Sequence, residues 1–162
     1  MNLSLTNLKL GADLTELKFA PSQYKIAREI ENGSFENGTT DWGAGNGSSI
    51  SVVTASPQHG GNAIRITAQS GGFNQKLCTK SSFLNTTKTY VCWGWARSDG
   101  NEIPKVLLGT AGPTWTGTAS TDWQRFYVKG QATTGTLRLE FFESAGDGTQ
   151  YVEFDDIYLV EL

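Results

Sequence analysis

The sequence is poor in the residues from which most catalytic and metal sites are built. Its 162 residues include one His, two Cys and four Pro. A single His without a nucleophile motif around Ser or Cys excludes the commonest hydrolase triads. So few Cys and His residues also leave no ligand set for a zinc centre. We therefore expect that the protein is not an enzyme.

An excess of basic charge and a long apolar run are also missing. Thirteen basic against sixteen acidic residues give a net charge of −3, so no basic surface for nucleic acid is expected. No apolar run approaches the roughly 18–20 residues that span a bilayer. The first residues also lack the basic stretch and the continuous apolar core of a secretory signal. We expect neither a nucleic-acid nor a membrane partner.

Glycine and leucine divide the chain into two parts. Eighteen of the 19 Gly lie in residues 33–162, whereas six of the 14 Leu lie within the first 17 positions. This change in composition predicts a boundary near Glu31, between an N-terminal arm (1–31) and a strand-rich domain (32–162).

The arm has two interpretations. It could pack on the core of its own domain, or it could bury its leucines in a partner, because exposed apolar surface costs about 25 cal/mol per Å². We favour the partner, since the second part of the chain looks like a complete fold. The candidate docking residues are Leu3, Leu5, Leu8, Leu10, Leu14 and Leu17.

The second part of the chain has the pattern of an all-β protein. Three Asn-Gly pairs lie within residues 32–47, and turn signals recur about every ten residues. We predict an antiparallel β-sandwich or jelly roll of about 8–9 strands. The candidate strands are 49–54, 63–68, 73–78, 89–97, 105–109, 123–129, 136–143 and 151–160.

Residues 89–97 place two Trp side chains on one face of a strand. Alternation puts Val91, Trp93, Trp95 and Arg97 on that face. Both indoles could belong to the core, since Trp is largely buried in most proteins. They could instead form a flat surface on which sugar rings stack, with polar side chains of adjacent strands bonding the hydroxyls. The further candidate ligand-binding residues are Arg97, Trp115, Arg125, Tyr127, Arg138 and Glu140.

Five short motifs in order carry a family resemblance. They are N-G-S-F-E at 32–36, H-G-G-N-A-I-R-I at 59–66, K-T-Y at 88–90, D-W-Q-R-F at 122–126 and F-D-D-I-Y-L at 154–159. With them the chain resembles the carbohydrate-binding modules that accompany bacterial xylanases and cellulases, in the galactose-binding-like jelly-roll superfamily. Domains of this type also occur on phage virion proteins.

The resemblance implies a structural calcium ion where the first and last strands meet. Its ligands would be Glu36 and one of Asp155 and Asp156, with backbone carbonyls of residues 59–62 completing an oxygen shell. Strand alternation favours Asp155, because it puts that residue on the same face as Ile157 and Leu159, at the edge of the core. The alternative is that these acids simply face solvent. Neighbouring strand residues point to opposite faces, so Asp155 and Asp156 alone cannot form a glycosidase pair.

These observations lead to two functional hypotheses. The first is a non-catalytic binding module attached through its arm to a larger assembly, oligomeric there, at the surface of a phage virion as a decoration or tail-associated protein. It would also bind a polysaccharide or host glycan. The second is a free-standing or excised polysaccharide-binding module of a secreted glycan-degrading system. A buried pair of thiols is expected for Cys78 and Cys92 in a reducing compartment, and a disulfide is the alternative outside the cell.

Overall fold

The computed structural model describes residues 28–70, 75–143 and 148–162. These residues form eleven β-strands in two antiparallel sheets and contain no helix. The prediction of an all-β sandwich is therefore confirmed. In the same three ranges no helix could cross a membrane. The six leucines predicted to dock on a partner lie outside the described residues.

The first sheet, sheet A, has six strands. They are β1 (Arg28–Glu29), β3 (Ser48–Val53), β4 (Ala63–Ala68), β6 (Thr89–Ser98), β9 (Gln124–Gln131) and β11 (Tyr151–Glu161). Five of them follow the order β3-β4-β11-β6-β9, and the two-residue β1 pairs with β11. The central positions belong to the long strands β6 and β11, and β9 lies at one edge of the sheet.

The second sheet, sheet B, has five strands in the order β2-β5-β10-β7-β8. They are β2 (Gly43–Gly45), β5 (Gln75–Lys80), β7 (Lys105–Leu108), β8 (Thr114–Thr116) and β10 (Leu137–Phe142). All eight predicted strands are present. The additional strands β1, β2 and β8 have only two or three residues, too few to show an alternating pattern in the sequence.

The core lies between the two sheets and follows the predicted alternation. On β10, Leu137, Leu139 and Phe141 are fully buried, and on β4 so are Ile64 and Ile66. A buried side chain of this size stabilises the fold by about 1.5–3 kcal/mol, so these rows account for much of the adhesion between the sheets. The aromatic rings Phe126 of β9 and Phe154 of β11 meet edge to face in the same core, with centroids 6.4 Å apart.

Residues 28–30, which precede the predicted boundary near Glu31, are part of the sandwich. Strand β1 pairs with Tyr158 and Leu159 of β11. The next residue, Ile30, is buried in the core, and its amide donates to the Ile157 carbonyl at 3.1 Å. These contacts tie the entry of the chain into the domain to the last strand.

A β-bulge in β11 changes which residues face the core. The pairing between β6 and β11 shifts between Asp155 and Tyr158, and Asp156 has φ of 49°. The extra residue lets Phe154 and Ile157 both face the core, while Asp155 and Tyr158 share the opposite face. The expectation that Asp155 shares a face with Ile157 and Leu159 is therefore wrong, because simple alternation does not allow for the inserted residue.

Both cysteines are free thiols that face the core from opposite sheets, Cys78 on β5 and Cys92 on β6. Burial raises the pKa of the Cys78 thiol to about 12 and also raises the pKa of Cys92. Both therefore stay protonated and act as small apolar side chains.

Candidate functional site

Three aromatic side chains lie in a row on the face of sheet A that points away from the core. Trp93 of β6 is directly opposite Tyr158 of β11 on one side and Tyr127 of β9 on the other. The rings of Trp93 and Tyr158 stack, with centroids 5.7 Å apart and planes inclined by 12°. Directly opposed residues in a sheet have Cβ atoms about 4.5–5.5 Å apart, so the row forms one surface. We call Tyr158, Trp93 and Tyr127 the aromatic platform.

The platform is not part of the core. Tyr127 is 59% exposed, Trp93 and Tyr158 are partly exposed, and none of the three belongs to the cluster of buried residues between the sheets. Trp95 lies one row further along β6, with Asp155 opposite on β11 and Arg125 opposite on β9. Both Trp side chains of the sequence prediction therefore share the outer face, where a ligand can reach them.

A buried carboxylate fixes two arginines on the same face, in the row beyond Trp95. Glu153 of β11 is fully buried, and its Oε1 accepts from Arg65 Nε at 2.8 Å and Nη2 at 2.6 Å. Its Oε2 accepts from Arg97 Nε at 2.5 Å. Each guanidinium also lies over a ring, Arg65 over Tyr151 at 3.8 Å and Arg97 over Trp123 at 4.6 Å. Charge-assisted bonds and ring contacts hold this group in one arrangement.

The loop that follows β3 is bound to this group. Arg97 Nη2 donates to the Ala55 carbonyl at 2.9 Å, and Trp123 Nε1 donates to the Ser56 carbonyl at 3.1 Å. The loop is thereby held against the outer face of sheet A, at the end of the face beyond Trp95.

The predicted calcium ligands hold the next residues of the same loop. The Oδ2 atom of Asp155 accepts from the amides of Gln58 and His59 at 2.9 and 3.0 Å, and its Oδ1 accepts from the Asp156 amide at 2.8 Å. Burial raises the pKa of Asp155 to about 6, although these amides act in the opposite direction. The carboxylate therefore anchors the loop at some cost in desolvation.

Glu36 has the same role at the other end of the loop. Its Oε1 accepts from the amides of Gly61 and Asn62, both at 2.9 Å. The loop approaches so closely that a Cβ atom at Gly60 would lie 2.4 Å from Glu36 Oε1. Gly60 also has φ of 64°, a left-handed conformation that suits glycine.

These carboxylates do not by themselves supply a calcium shell. Calcium takes six to eight oxygen ligands. Within the described residues no three acidic, His or Cys side chains come together as a metal site, and Glu36 and Asp155 already accept amide hydrogen atoms. Asp156 lies 3.7 Å from His59 Nδ1. The calcium site stays a prediction, and the fold of the loop is explained without it.

Arg138 and Glu140 are not on strands adjacent to the two Trp side chains, so that expectation is wrong. They lie on β10, which pairs with β5 and β7 in sheet B, and they face away from the core there. Arg138 Nη2 lies 3.2 Å from Glu140 Oε2, which also accepts from Gln75 Nε2 at 2.8 Å. Their alternation was read correctly, but the sequence does not show which strands are neighbours.

Trp115 is also separate from the platform. It lies on the short edge strand β8 of sheet B, opposite Val106. Its ring packs on Phe126 with centroids 5.7 Å apart and is partly buried against the core. The indole therefore closes the edge of the sandwich on the side of β8.

Sequence reasoning brought together Trp93, Trp95, Arg97, Arg125 and Tyr127, which the structure places on one face. It missed Tyr158, because the sequence does not show that β11 pairs with β6 and so brings this ring beside Trp93. It also missed Glu153, whose position next to Phe154 in a strand pattern indicates only that it faces away from the core.

No protein-family model matches the sequence, and no curated protein is significantly similar to it. Solved structures are similar in fold. TmCBM61, solved in complex with β-1,4-galactotriose, is 16% identical with a TM-score of 0.57, and the match covers 83% of this chain and 99% of that one. The fold is therefore that of the carbohydrate-binding-module jelly rolls.

Two larger proteins contain the same fold as one part. The arabinose-bound MgGH51 α-L-arabinofuranosidase is 15% identical with a TM-score of 0.62 over 83% of this chain. The enzymatically active domain of tailspike protein 4 from bacteriophage CBA120 is 9% identical with a TM-score of 0.59, also over 83%. The match spans only 26% of the arabinofuranosidase and 21% of the tailspike chain. At these identities the likeness concerns the fold.

Proposed function

We propose that this chain is a non-catalytic glycan-binding module and that the aromatic platform is its binding surface. The observation that carries the proposal is the row Tyr158, Trp93 and Tyr127, in register on a sheet face that the core does not use. The C–H faces of sugar rings pack on aromatic rings, and nearby polar side chains bond the hydroxyls. A module of the same fold, TmCBM61, was solved with a bound galactotriose.

The two buried carboxylates on the platform face of sheet A support a role without catalysis. Glycoside hydrolysis needs one carboxyl group that donates a proton and a second that acts as base or nucleophile. Glu153 is bound by two arginines, and Asp155 accepts three backbone amides. The oxygen atoms of both carboxylates therefore accept hydrogen bonds that stabilise the structure of this face.

The binding experiment compares two exposed aromatic side chains on opposite faces. Tyr127→Ala should abolish retention of the protein on an insoluble or gel-embedded polysaccharide to which the native chain binds. Phe142→Ala is the matched control, because Phe142 is 48% exposed on the outer face of sheet B. Equal retention of both variants, or loss only in Phe142→Ala, would exclude the platform as the binding surface.

We also propose that the N-terminal arm attaches the module to a larger assembly, a phage capsid or tail, in several copies with the platform at the virion surface. The Leu-rich composition of residues 1–31 and the presence of this fold in a tailspike support this. The alternative is a free-standing module that acts outside the cell. A chain without residues 1–25 should fold with its normal thermal transition but no longer sediment with virions. Failure to fold would assign the arm to the domain's own core.

A further inference from the structure

Two exposed cations flank the platform on the edge strand of sheet A. Arg125, Tyr127 and Lys129 alternate along β9 on the outer face, and all three are exposed. Residues on the same face of a strand repeat about every 6.5–7 Å, so each cation lies within one step of the Tyr127 ring. Arg125 is opposite Trp95, and Lys129 is opposite Val91.

These two cations are not neutralised by neighbouring acids. Arg65 and Arg97 share Glu153, but neither Arg125 nor Lys129 forms an ion pair within the described residues. Two acidic side chains of the same face, Glu153 and Asp155, are fully buried. A third acidic residue, Glu29 of β1, is opposite Tyr158, at the far end of the row from β9. The chain carries a net charge of −3, whereas the exposed charge on β9, beside Tyr127, is positive.

A neutral sugar would make little use of this arrangement. A ring stacked on Tyr127 or Trp93 places its substituents over β9, where hydroxyl groups gain ordinary hydrogen bonds but no charge pairing. A uronate carboxylate or a sulfate ester would pair with one of these cations, and a second such group further along the polymer would reach the other. An arginine guanidinium matches these oxyanions with two parallel hydrogen bonds. At physiological salt, charges more than about 8 Å apart are largely screened from one another. Direct contacts with Arg125 and Lys129 therefore outweigh the negative charge on more distant parts of the surface.

We propose that the ligand of the platform is an acidic glycan, in which sugar rings stack on Tyr127 and Trp93 while carboxylates or sulfates along the polymer pair with Arg125 and Lys129. This inference rests on the proposed glycan-binding function and adds the chemical class of the ligand.

The test uses the full chain and polysaccharides that differ only in charge. Polygalacturonate is compared with its methyl ester, and dextran sulfate with dextran, which separates carboxylate from sulfate recognition. Neutral xylan and galactan extend the panel. Affinity is measured by retardation in polysaccharide-containing native gels and by calorimetry, at about 50 mM and about 300 mM salt.

The charge variant is Arg125→Gln with Lys129→Gln. The matched control is Lys88→Gln with Lys105→Gln, which makes the same change in net charge at positions away from the platform. Lys88, just before the start of β6, pairs with Glu161 of β11, and Lys105 lies over Phe142 on sheet B. We expect the native chain and the control to bind one acidic polymer at least about tenfold more tightly than its neutral counterpart. The charge variant should lose this preference, and higher salt should weaken it.

The other outcomes separate the inference from the function on which it rests. If neutral polymers bind as tightly as acidic ones, and the charge variant binds like the native chain, the acidic ligand is excluded while the glycan-binding function stands. If an acidic polymer binds but Tyr127→Ala does not weaken it, or a single-stranded oligonucleotide competes equally, the surface is a general polyanion site and both proposals fail. Both also fail if the native chain binds no polymer.

Discussion

The outer faces of the two sheets differ in what they leave accessible. On sheet A the carboxylates Glu153 and Asp155 are buried, while the rings of Trp93 and Tyr127 are accessible. On sheet B the outward side chains Arg138 and Glu140 are only 8% and 2% exposed. Among the described strands, sheet A presents a row of three accessible rings, whereas the outer face of sheet B presents the single ring of Phe142.

The ion pairs of the two faces also differ in completeness. Glu153 accepts three hydrogen bonds from two guanidinium groups, and each guanidinium has a ring partner. On sheet B, Arg138 donates to the Thr110 carbonyl through Nη1, but its buried Nε has no partner. A complete network can hold a binding surface rigid, whereas an incomplete one lowers the net gain of the pair. We therefore expect the network of sheet A to contribute more to stability.

The largest effect is expected from Glu153→Gln. This change leaves two largely desolvated arginines without their shared carboxylate, so unfolding in urea should show a loss of about 3–5 kcal/mol. Glu161→Gln serves as the control, because the Glu161–Lys88 pair is exposed and such pairs contribute at most about 1 kcal/mol. A loss below about 1 kcal/mol for Glu153→Gln would show that the network does not hold the face together.

A smaller loss is expected from the equivalent change on sheet B. Glu140→Gln weakens the bonds with Arg138 and Gln75, and hydrogen bonds to charged groups contribute about 1.5–3 kcal/mol. Urea unfolding of both variants measures the difference between the faces directly. A loss equal to or larger than that of Glu153→Gln would reverse the comparison.

The pH dependence of stability isolates the loop that Asp155 anchors. The pKa of Asp155 is raised from 3.8 to about 6 in the folded protein, so the folded state binds a proton that the unfolded state has released between these values. The contribution of this group to stability should therefore fall as pH rises from about 4 to about 6. Thermal melting in EDTA should show that the Tm of Asp155→Asn changes by a few degrees less than the Tm of the native chain between about pH 4 and pH 6.

The same variant tests the predicted calcium ion. A cation bound to the ionised carboxylate would raise the Tm of the native chain at neutral pH, and Asp155→Asn would respond less. If calcium leaves the Tm of the native chain unchanged, Glu36 and Asp155 act only as acceptors for the amides of the loop.

The smallest effect on stability is expected from Trp93→Ala, although this residue is central to binding. The indole packs on Tyr158 outside the core, and an aromatic pair contributes about 0.5–1.5 kcal/mol beyond its buried area. Phe126→Ala is the control in the core and should cost about 3–5 kcal/mol. Similar losses in chemical denaturation would assign Trp93 to the structural core.

The parts of this architecture that repeat with a period of two could be predicted from the sequence. The core rows of β4 and β10 and the shared face of Trp93 and Trp95 follow from alternation alone. Non-local pairing could not be predicted. Arg138 and Glu140 were expected on strands adjacent to β6. The residues of a strand do not indicate which other strand pairs with it.

Irregular geometry set the second limit. The bulge at Asp156 inserts one residue into β11, so one alternating pattern cannot describe the strand on both sides of it. This places Tyr158 on the platform and separates Asp155 from the face of Ile157. A positive φ at an Asp between two strand-like halves is a property of the folded sheet, and no composition signal marks it.

The most direct test of the aromatic platform is an amide chemical-shift titration of the isotope-labelled chain with a soluble oligosaccharide of a polymer that it binds. The account predicts the largest shifts on β6, β9 and β11, around Trp93, Tyr127 and Tyr158, with the Trp93 indole N–H among the most affected signals. Shifts confined to β5, β7 and β10 would instead place the ligand on the outer face of sheet B and contradict the assignment of the binding surface.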